Sequence, residues 1–428
     1  MSVSLGIIIG VMALTFILNI PVTYGMIAAG VFYLAYNSAD IGLVVGQIMG
    51  MMYSSYVLIA IPLFIFTANI MNNGKVTDVM FDFARALIGR RRGALAYVNV
   101  LVSLIFSGMT GSAIADASGI GTMEIEAMDK NGYDRPFSCA ITAASAIIGP
   151  IFPPSIPFVI YAMLSGASVG ALFLGGVLPA FFIAGALSLY ISYIAKKRGY
   201  PEGIVFTRSE FWRFTLRALP ALFTPVILLV GIYTGVMTPT EAGAVAALYA
   251  LIISVFAYRV LGFKEFCISV KASVTATGSI TILTAAAAVF SYVVVKENIP
   301  GMVSDLILGM TDQKLIVLIC VNVLFLILGM FLDTAVLQYV FLPIVIPIVS
   351  AVGIDLVHFG VLICLNMMIG LCTPPFGFLL FVTANIGKTP LADVVREIFP
   401  MLLILIAVMV VLMLFPQTIL WLPGMMMK

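Results

Sequence analysis

The chain has 428 residues, of which 62% are hydrophobic and only 9% are charged, and its mean hydropathy is +1.19. One soluble surface cannot cover that much apolar sequence, so the composition predicts an all-α polytopic membrane protein that contacts membrane lipid. The net charge of +2 indicates no nucleic-acid partner.

Apolar runs long enough to cross a membrane recur along the chain, at about 20 residues per crossing. They lie near 3–20, 22–37, 54–73, 136–165, 168–195, 218–236, 240–258, 272–295, 356–386 and 398–422. The first run lacks a preceding basic segment and a small-residue cleavage site, which predicts a span rather than a cleaved signal. The NIPVT break at 19–23 leaves open whether the first two runs are two spans or one kinked helix.

Two further runs differ from the spans because they carry Gly, Ser, Thr and Asp at their middles. They are 93–128, between RRR (90–92) and DKNGYDR (129–135), and 315–350, between TDQK (311–314) and GID (353–355). Polar flanks on both sides predict a re-entrant hairpin, which enters the membrane, turns and leaves on the side from which it came. Two short full crossings are the alternative for each.

Two of the spans are interrupted by prolines, in GPIFPPSIP (149–157) and GLCTPPFG (370–377). Proline removes a backbone donor and costs roughly 3 kcal/mol in a helix interior. At membrane depth such a break is tolerated only where the freed backbone faces protein or a polar cavity. Freed carbonyls and nearby hydroxyls suit a hard monovalent cation such as Na⁺, while half-helix N–H ends suit an anion. The breaks therefore predict binding sites.

The two halves of the chain repeat with a shift of 221 residues. The coinciding pairs are Gly108 with Gly329, Gly149 with Gly370, Pro153 and Pro154 with Pro374 and Pro375, Gly166 with Gly387, and Pro179 with Pro400. Each half, 1–205 and 206–428, then contains three spans, a hairpin and two spans. Five crossings per half is an odd number, so the second half is predicted to be inverted, as in secondary transporters.

The basic residues are consistent with this inverted plan. Tracing the spans from the RRR segment puts one group in the cytoplasm: Arg90, Arg91, Arg92, Lys130, Arg135, Lys196, Lys197, Arg198, Arg259, Lys264, Lys271, Lys388 and Arg396. Lys296 and Lys314 fall on the outer side. The assignment requires that the break at 19–23 forms a loop, since a kink would change the parity.

Two carboxylates, Asp116 and Asp333, lie inside the hairpins, where a charge costs a few kcal/mol unless it is paired or hydrated. They are predicted to be functional, and the alternative is that each only caps a helix. Ser112 coincides with Asp333 at the same shift, so both are expected to face a cavity between the hairpin tips. The predicted substrate contacts are Ser112, Asp116, Ser155, Ser168 and Asp333.

Other polar or reactive residues favour structural roles. Glu241, in TPTEAG, is predicted to begin a helix at the membrane interface. His358 lies at the edge of a span, with a proton relay as the less favoured alternative. The cysteines are predicted to be small buried hydrophobes, since no CxxC spacing occurs: Cys139, Cys267, Cys320, Cys364 and Cys372.

Five motifs together resemble the large membrane subunit of tripartite ATP-independent periplasmic (TRAP) transporters over nearly the whole chain. They are SGMTGSAIADASGIGTM, GPIFPPSIP, TGVMTPTEAGAVAALYAL, GMFLDTAV and GLCTPPFGF. The resemblance implies a Na⁺-driven importer of an organic acid, sialic acid or a C4-dicarboxylate, in the bacterial inner membrane. It also implies an elevator mechanism, with a small four-helix membrane subunit and a periplasmic substrate-binding protein as partners.

The resemblance further implies two Na⁺ sites, each formed by a hairpin tip and the facing proline break. The first would comprise Ser107, Gly108, Ser112, Gly149, Phe152 and Pro154. The second would comprise Gly329, Thr334, Gly370, Thr373 and Pro375.

Other function classes fit the sequence less well. One histidine, no metal-ligand cluster in the sequence and no sizeable soluble domain argue against an integral-membrane enzyme. An ion channel could use carbonyl-lined breaks, but paired hairpins in inverted halves suit alternating access better. A carrier of the same fold that acts alone, coupled to H⁺ or Na⁺, is the nearest alternative.

Overall fold

The computed structural model describes residues 3–73, 76–309 and 313–427. Across these ranges the regular elements are helices, and the β-structure is one isolated bridge between Arg92 and Glu202. The all-α class is therefore confirmed. Residues 311–312 of the TDQK segment lie outside the described residues.

The first half of the chain forms helices α1 to α11. Their bounds are α1 Val3–Ile17, α2 Val22–Tyr36, α3 Gly42–Ser54, α4 Ala60–Asn73, α5 Val76–Ile88, α6 Ala94–Thr110, α7 Ala113–Ser118, α8 Ile120–Lys130, α9 Arg135–Ala146, α10 Ile156–Ser165 and α11 Val169–Arg198. A 3₁₀ turn, Tyr56–Ile59, joins α3 to α4.

The second half forms helices α12 to α21. Their bounds are α12 Arg208–Tyr233, α13 Pro239–Ile252, α14 Phe263–Lys296, α15 Ile299–Leu308, α16 Lys314–Gly329, α17 Thr334–Ala351, α18 Leu356–Leu371, α19 Phe378–Gly387, α20 Leu391–Leu414 and α21 Gln417–Met426. A π-helical turn, Ile253–Ala257, continues α13.

Six described helices are long and apolar enough to cross a membrane: α11, α12, α13 with its π turn, α14, α17 and α20. The α3 and α4 pair, bent by 67°, adds a seventh candidate. The sequence missed this geometry, because α3 lies before the predicted run at 54–73. The predicted run at 398–422 contains the end of one helix and most of another, since α20 ends at Leu414 and α21 begins at Gln417 after Pro416.

Both predicted hairpins return to the end at which they began. In the first, the Leu95 N–H near the start of α6 donates to the Tyr133 hydroxyl just after α8, at 3.2 Å. In the second, Lys314 Nζ at the start of α16 donates to the Gly353 carbonyl after α17, at 2.8 Å. A re-entrant hairpin and a pair of full crossings would both make such contacts, so the re-entrant character of the two segments stays a prediction.

The two proline-broken spans pack antiparallel to each other. The Tyr161 hydroxyl, near the end of α10, donates to the Leu356 carbonyl at the start of α18, at 2.8 Å. At the other end, Gly387 of α19 lies against Cys139 of α9. Antiparallel packing is what an inverted pair of halves requires. The division into 1–205 and 206–428 stays a prediction.

Charged residues join several helix ends at the predicted cytoplasmic end of the molecule. The Arg198 guanidinium donates to Asp134 Oδ2 at 3.1 Å and to both Glu397 oxygens at 2.8 Å. Arg90 Nε lies 2.7 Å from Glu202 Oε2, and this contact lowers the pKa of the Glu202 carboxyl. The starts of α9 and α20, the end of α11 and the start of the first hairpin therefore lie close together.

The predicted membrane topology can be tested by cysteine labelling in a background with the exposed cysteines replaced by serine. We expect Lys130→Cys to react with an impermeant maleimide only from the cytoplasm, and Lys314→Cys only from outside. The reason is that the two hairpins open from opposite faces if the halves are inverted. Labelling of both variants from the same side would contradict the inverted plan.

The predictions for residues with structural roles have mixed outcomes. Glu241 begins α13 in a capping box with Thr238, as predicted. Cys139, Cys364 and Cys372 are buried, but the prediction is wrong for Cys267 and Cys320, which are exposed. The physical reason is that an apolar side chain of a membrane helix also avoids water when it faces lipid, so burial in protein does not follow from the pattern.

Candidate functional site

The tip of the first hairpin lies against the first proline break. Gly111 has a φ of +59°, and a Cβ at this position would overlap the Pro154 carbonyl oxygen. A Cβ at Gly108 would lie 3.7 Å from the Phe152 ring. The Pro153–Pro154 peptide bond is cis. Glycine at the tip therefore allows the two backbones to approach closely.

Asp116 is buried beside the same break, with 3% of its surface exposed. The Thr110 hydroxyl donates to Asp116 Oδ1 at 2.5 Å, whereas Oδ2 has no hydrogen-bond partner among the described residues. A Cβ at Gly149 would lie 2.5 Å from this Oδ2. The Ser107 hydroxyl donates to the Leu104 carbonyl at 2.6 Å. Asp116 therefore lies among the residues predicted for the first Na⁺ site.

The second hairpin and the second break also make a close backbone contact. A Cβ at Gly370 would lie 2.8 Å from both Cα and the carbonyl carbon of Gly329. Thr334 is buried, and its hydroxyl has no partner within the described part of the chain. The Thr373 hydroxyl donates to the Ile369 carbonyl at 2.7 Å, and Pro375 is exposed.

Both hairpin tips line one cavity of about 130 Å³. Its polar or tip residues are Gly111, Ser112, Asp333, Thr334 and Gln338, and apolar residues of α10, α14 and α18 complete the wall. Ser112 and Asp333 therefore face the same space, which is the arrangement expected from the 221-residue shift.

The wall of this cavity offers helix N-termini that can bind an anion and a carboxylate that can bind a cation or a polar group. Helices α10 and α17 both begin at its wall, and the N–H groups of a helix N-terminus attract anions. Asp333 caps α17, since its Oδ1 accepts from the Ala335 N–H at 2.9 Å. Its other carboxylate oxygen remains available to a cation or a substrate hydroxyl.

The structure does not bring every predicted substrate contact to the cavity wall. Asp116 lies at the first break, as described above. The Ser155 hydroxyl is buried, donates to the Pro150 carbonyl and caps α10. Ser168 caps α11 and is exposed, at the opposite end of α10 from the break. Substrate contacts by these three residues stay predictions that the geometry does not support.

Several polar residues in this region were not predicted from the sequence. Gln338 lines the cavity, and its Oε1 has no partner among the residues described. Its spacing of four from Thr334 on α17 was the available signal, because such residues share a helix face. Glu124 of α8 is 2% exposed, and nothing in the sequence indicated its burial.

His358, for which the sequence favoured a structural role, makes a structural contact: its Nε2 lies 3.0 Å from the Leu412 carbonyl oxygen.

Residues 8–418 match the family described as "Tripartite ATP-independent periplasmic transporter, DctM component". The chain belongs to this DctM family. It is 40% identical over 419 residues to the sialic acid TRAP transporter large permease protein SiaM of Vibrio cholerae, with 98% of both chains covered. It is 32% identical over 443 residues to the C4-dicarboxylate TRAP transporter large permease protein DctM of the same species, covering 98% of this chain and 97% of the relative.

A solved structure supports the fold of this chain. The YdaH transporter of Alcanivorax borkumensis superimposes with a TM-score of 0.62 over 87% of each chain, at 16% sequence identity. At that identity the likeness concerns the fold alone. With its apolar spans, this member of the family is a multi-pass permease of the bacterial inner membrane, and its named relatives are permeases rather than enzymes.

Proposed function

We propose that this chain is the large membrane subunit of a Na⁺-coupled importer of an organic acid. The observation that carries the proposal is the convergence of two hairpin tips and two proline breaks around one cavity. Helix N-termini at the cavity suit a carboxylate, and freed oxygens at the two breaks suit cations. One site can therefore couple an anion to a cation.

The residues at both breaks fit Na⁺, a hard cation that prefers oxygen ligands. A buried oxygen without a described partner lies at each site. Asp116 Oδ2, which was not among the predicted ligands, lies beside Gly149 of the first site, and the hydroxyl of Thr334 belongs to the second. A buried polar atom without a partner is costly, and a bound cation would remove that cost. The Ser107 and Thr373 hydroxyls already donate to carbonyls, so their oxygen lone pairs remain free to bind a cation.

The hairpins and broken helices are candidates for the moving part of an elevator. The second break is linked to α9 of the first broken span, since Cys372 Sγ donates to the Ala143 carbonyl at 3.3 Å. The second hairpin also packs on the long helix α14, where the hydroxyls of Tyr339 and Thr284 lie 2.5 Å apart. Transport would then move the linked hairpins and breaks relative to α14.

The substrate and the partners follow from the family rather than from the geometry. Relatives named for sialic acid and for C4-dicarboxylates both match nearly the whole chain, and the sialic acid permease is the more similar of the two. We therefore propose sialic acid first and a C4-dicarboxylate second. A periplasmic binding protein would deliver the substrate, and a small four-helix membrane subunit would complete the permease.

Reconstituted uptake tests the coupling ion. We expect an imposed Na⁺ gradient to drive sialic acid uptake by proteoliposomes that contain this chain, the small subunit and the binding protein. The physical reason is that the partnerless oxygens at the breaks offer cation ligands. The measurement is the initial uptake rate with Na⁺, with choline replacing Na⁺, and with a pH gradient alone.

The same vesicles separate this proposal from its alternatives. Full uptake driven by a pH gradient in the absence of Na⁺ would reject Na⁺ coupling. Equal uptake without the binding protein and the small subunit would instead favour a carrier that acts alone. Competition by excess succinate would favour a C4-dicarboxylate as the substrate.

A further inference from the structure

A second and larger cavity, of about 660 Å³, lies between α3, α10, α14 and α17. We propose that this cavity is the vestibule through which the anionic substrate passes to the hairpin cavity, and that Lys296 at its mouth attracts the substrate carboxylate. The identity of the anion rests on the proposed function, but the attraction of anions to the vestibule does not.

Three helices connect the vestibule to the hairpin cavity through continuous faces. On α10, Ile160 lines the hairpin cavity and Leu164, one turn later, lines the vestibule. On α14, Ile280 lines the hairpin cavity and Ser291, three turns later, lines the vestibule. On α17, Ala335 lines the hairpin cavity and Ile346, also three turns later, lines the vestibule. Since residues at these spacings share one helix face, a single route runs along the three helices.

A hydrogen bond between α14 and α17 stands between the two cavities. Thr284 and Tyr339 are both fully buried, and their hydroxyl oxygens lie 2.5 Å apart. Thr284 also lines an intermediate cavity of about 200 Å³, which shares Ile280 with the hairpin cavity. The route is therefore closed in this conformation at a contact that can open when α17 moves relative to α14.

The charge at the mouth is positive. Among the described residues that line the vestibule, Lys296 alone carries a charge. Its neighbour Glu297 is not a lining residue, and its carboxylate is directed towards α2, where Oε1 accepts from the Tyr33 hydroxyl at 2.9 Å. Lys296 is exposed at the mouth, where its positive charge raises the local concentration of anions to an extent that salt reduces. Gln47 and Ser291 supply uncharged polar groups inside.

A lipid phosphate carries the same kind of charge as a substrate carboxylate, and the apolar wall could accommodate an acyl chain. We favour the substrate because the vestibule leads to the hairpin cavity. The predicted topology also opens the vestibule on the outer side, where a binding protein would release its cargo.

The test measures anion attraction without relying on transport. In a background with Cys267 and Cys320 replaced by serine, Ser291→Cys is reacted with impermeant thiosulfonate reagents that carry either a sulfonate or a quaternary ammonium. We expect the ratio of anionic to cationic reaction rates to fall at least threefold on adding Lys296→Gln. Lys296→Arg should retain the ratio, and added choline chloride should weaken the effect.

Lys314→Gln is the matched control. Lys314 is predicted on the same side of the membrane as Lys296, but its Nζ donates to the Gly353 carbonyl and it lines another cavity. It should leave the ratio unchanged. The proposal would be overturned if the ratio of reaction rates were unchanged by Lys296→Gln, or if Lys314→Gln changed it equally.

A second arm identifies the occupant. Free sialic acid, or succinate if sialic acid is not transported, should slow modification of Ser291→Cys, and modification should block uptake. In the complete transporter, Lys296→Gln should raise the KM severalfold with little change in Vmax. Protection by phosphatidylglycerol vesicles but by neither acid would make the vestibule a lipid site and refute the substrate route. If the wild type transports neither acid, the proposed function fails while the reaction-rate ratio still decides the charge effect.

Discussion

Gly370→Ala is expected to lower Na⁺-driven uptake at least tenfold. The added Cβ would lie 2.8 Å from the Gly329 backbone, so it must push apart the hairpin tip and the proline break that form the second predicted Na⁺ site. Overpacking of this kind typically costs about 1–3 kcal/mol, and here the displaced atoms include carbonyl groups proposed to bind the cation. The measurement is the initial uptake rate at several Na⁺ concentrations.

Two further variants separate a lost ion site from a failure to fold. Gly278→Ala, on α14, adds a methyl group to open space and should keep wild-type uptake and thermal stability. Thr334→Val keeps the shape of a buried side chain and removes only the hydroxyl without a described partner. We expect it to fold normally but to require more Na⁺ for half-maximal uptake. An unchanged Na⁺ dependence in both Thr334→Val and Gly370→Ala would remove the second site.

Asp333→Asn is expected to lower uptake at least severalfold while expression and thermal stability stay near wild type. Asparagine preserves the size of the side chain and its ability to cap α17, but it removes the charge from the cavity wall. Ser112→Ala, on the opposite wall, removes one hydroxyl and should lower uptake to a smaller extent. Uptake and unfolding temperature of the purified variants check this expectation.

Asp355→Asn provides a matched control. Asp355 caps α18 with comparable hydrogen bonds, at 2.8 Å and 2.9 Å, but it lies beside a different cavity near the second hairpin's open end. A purely structural role for Asp333 would give both variants the same profile, a stability loss of up to about 1 kcal/mol with little change in uptake. Wild-type uptake by Asp333→Asn at all Na⁺ concentrations would exclude its carboxylate charge from the transport step.

The hairpins and the breaks could be predicted because their signals are local. Glycine at 111 permits the left-handed turn that other residues adopt only at a steric cost, and the paired prolines at 153–154 interrupt a helix in any fold. Polar residues at both ends of an apolar run predict a return to the same side, and the contacts of Tyr133 and Lys314 agree with this. The cavity between the tips follows once both hairpins are placed.

Other parts of the site depend on tertiary contacts that no local pattern contains. Asp116 and Ser112 lie four residues apart, yet only Ser112 lines the cavity, because Asp116 is held by Thr110 beside Gly149. Burial of Glu124 results from packing of α8 on its neighbours and not from its own sequence. Helix α3 was missed because its bend towards α4 splits one crossing into two short pieces.

The length of helix α14 leads us to expect that the transport rate depends on bilayer thickness. Its apolar part, residues 272–295, extends about 36 Å at 1.5 Å per residue, whereas a typical hydrocarbon core is about 30 Å thick. The helix must therefore incline, or the surrounding lipid must stretch, and either adjustment changes with acyl-chain length. Because α14 contacts the second hairpin through Thr284, the lipid chosen for reconstitution acts on the element against which that hairpin packs.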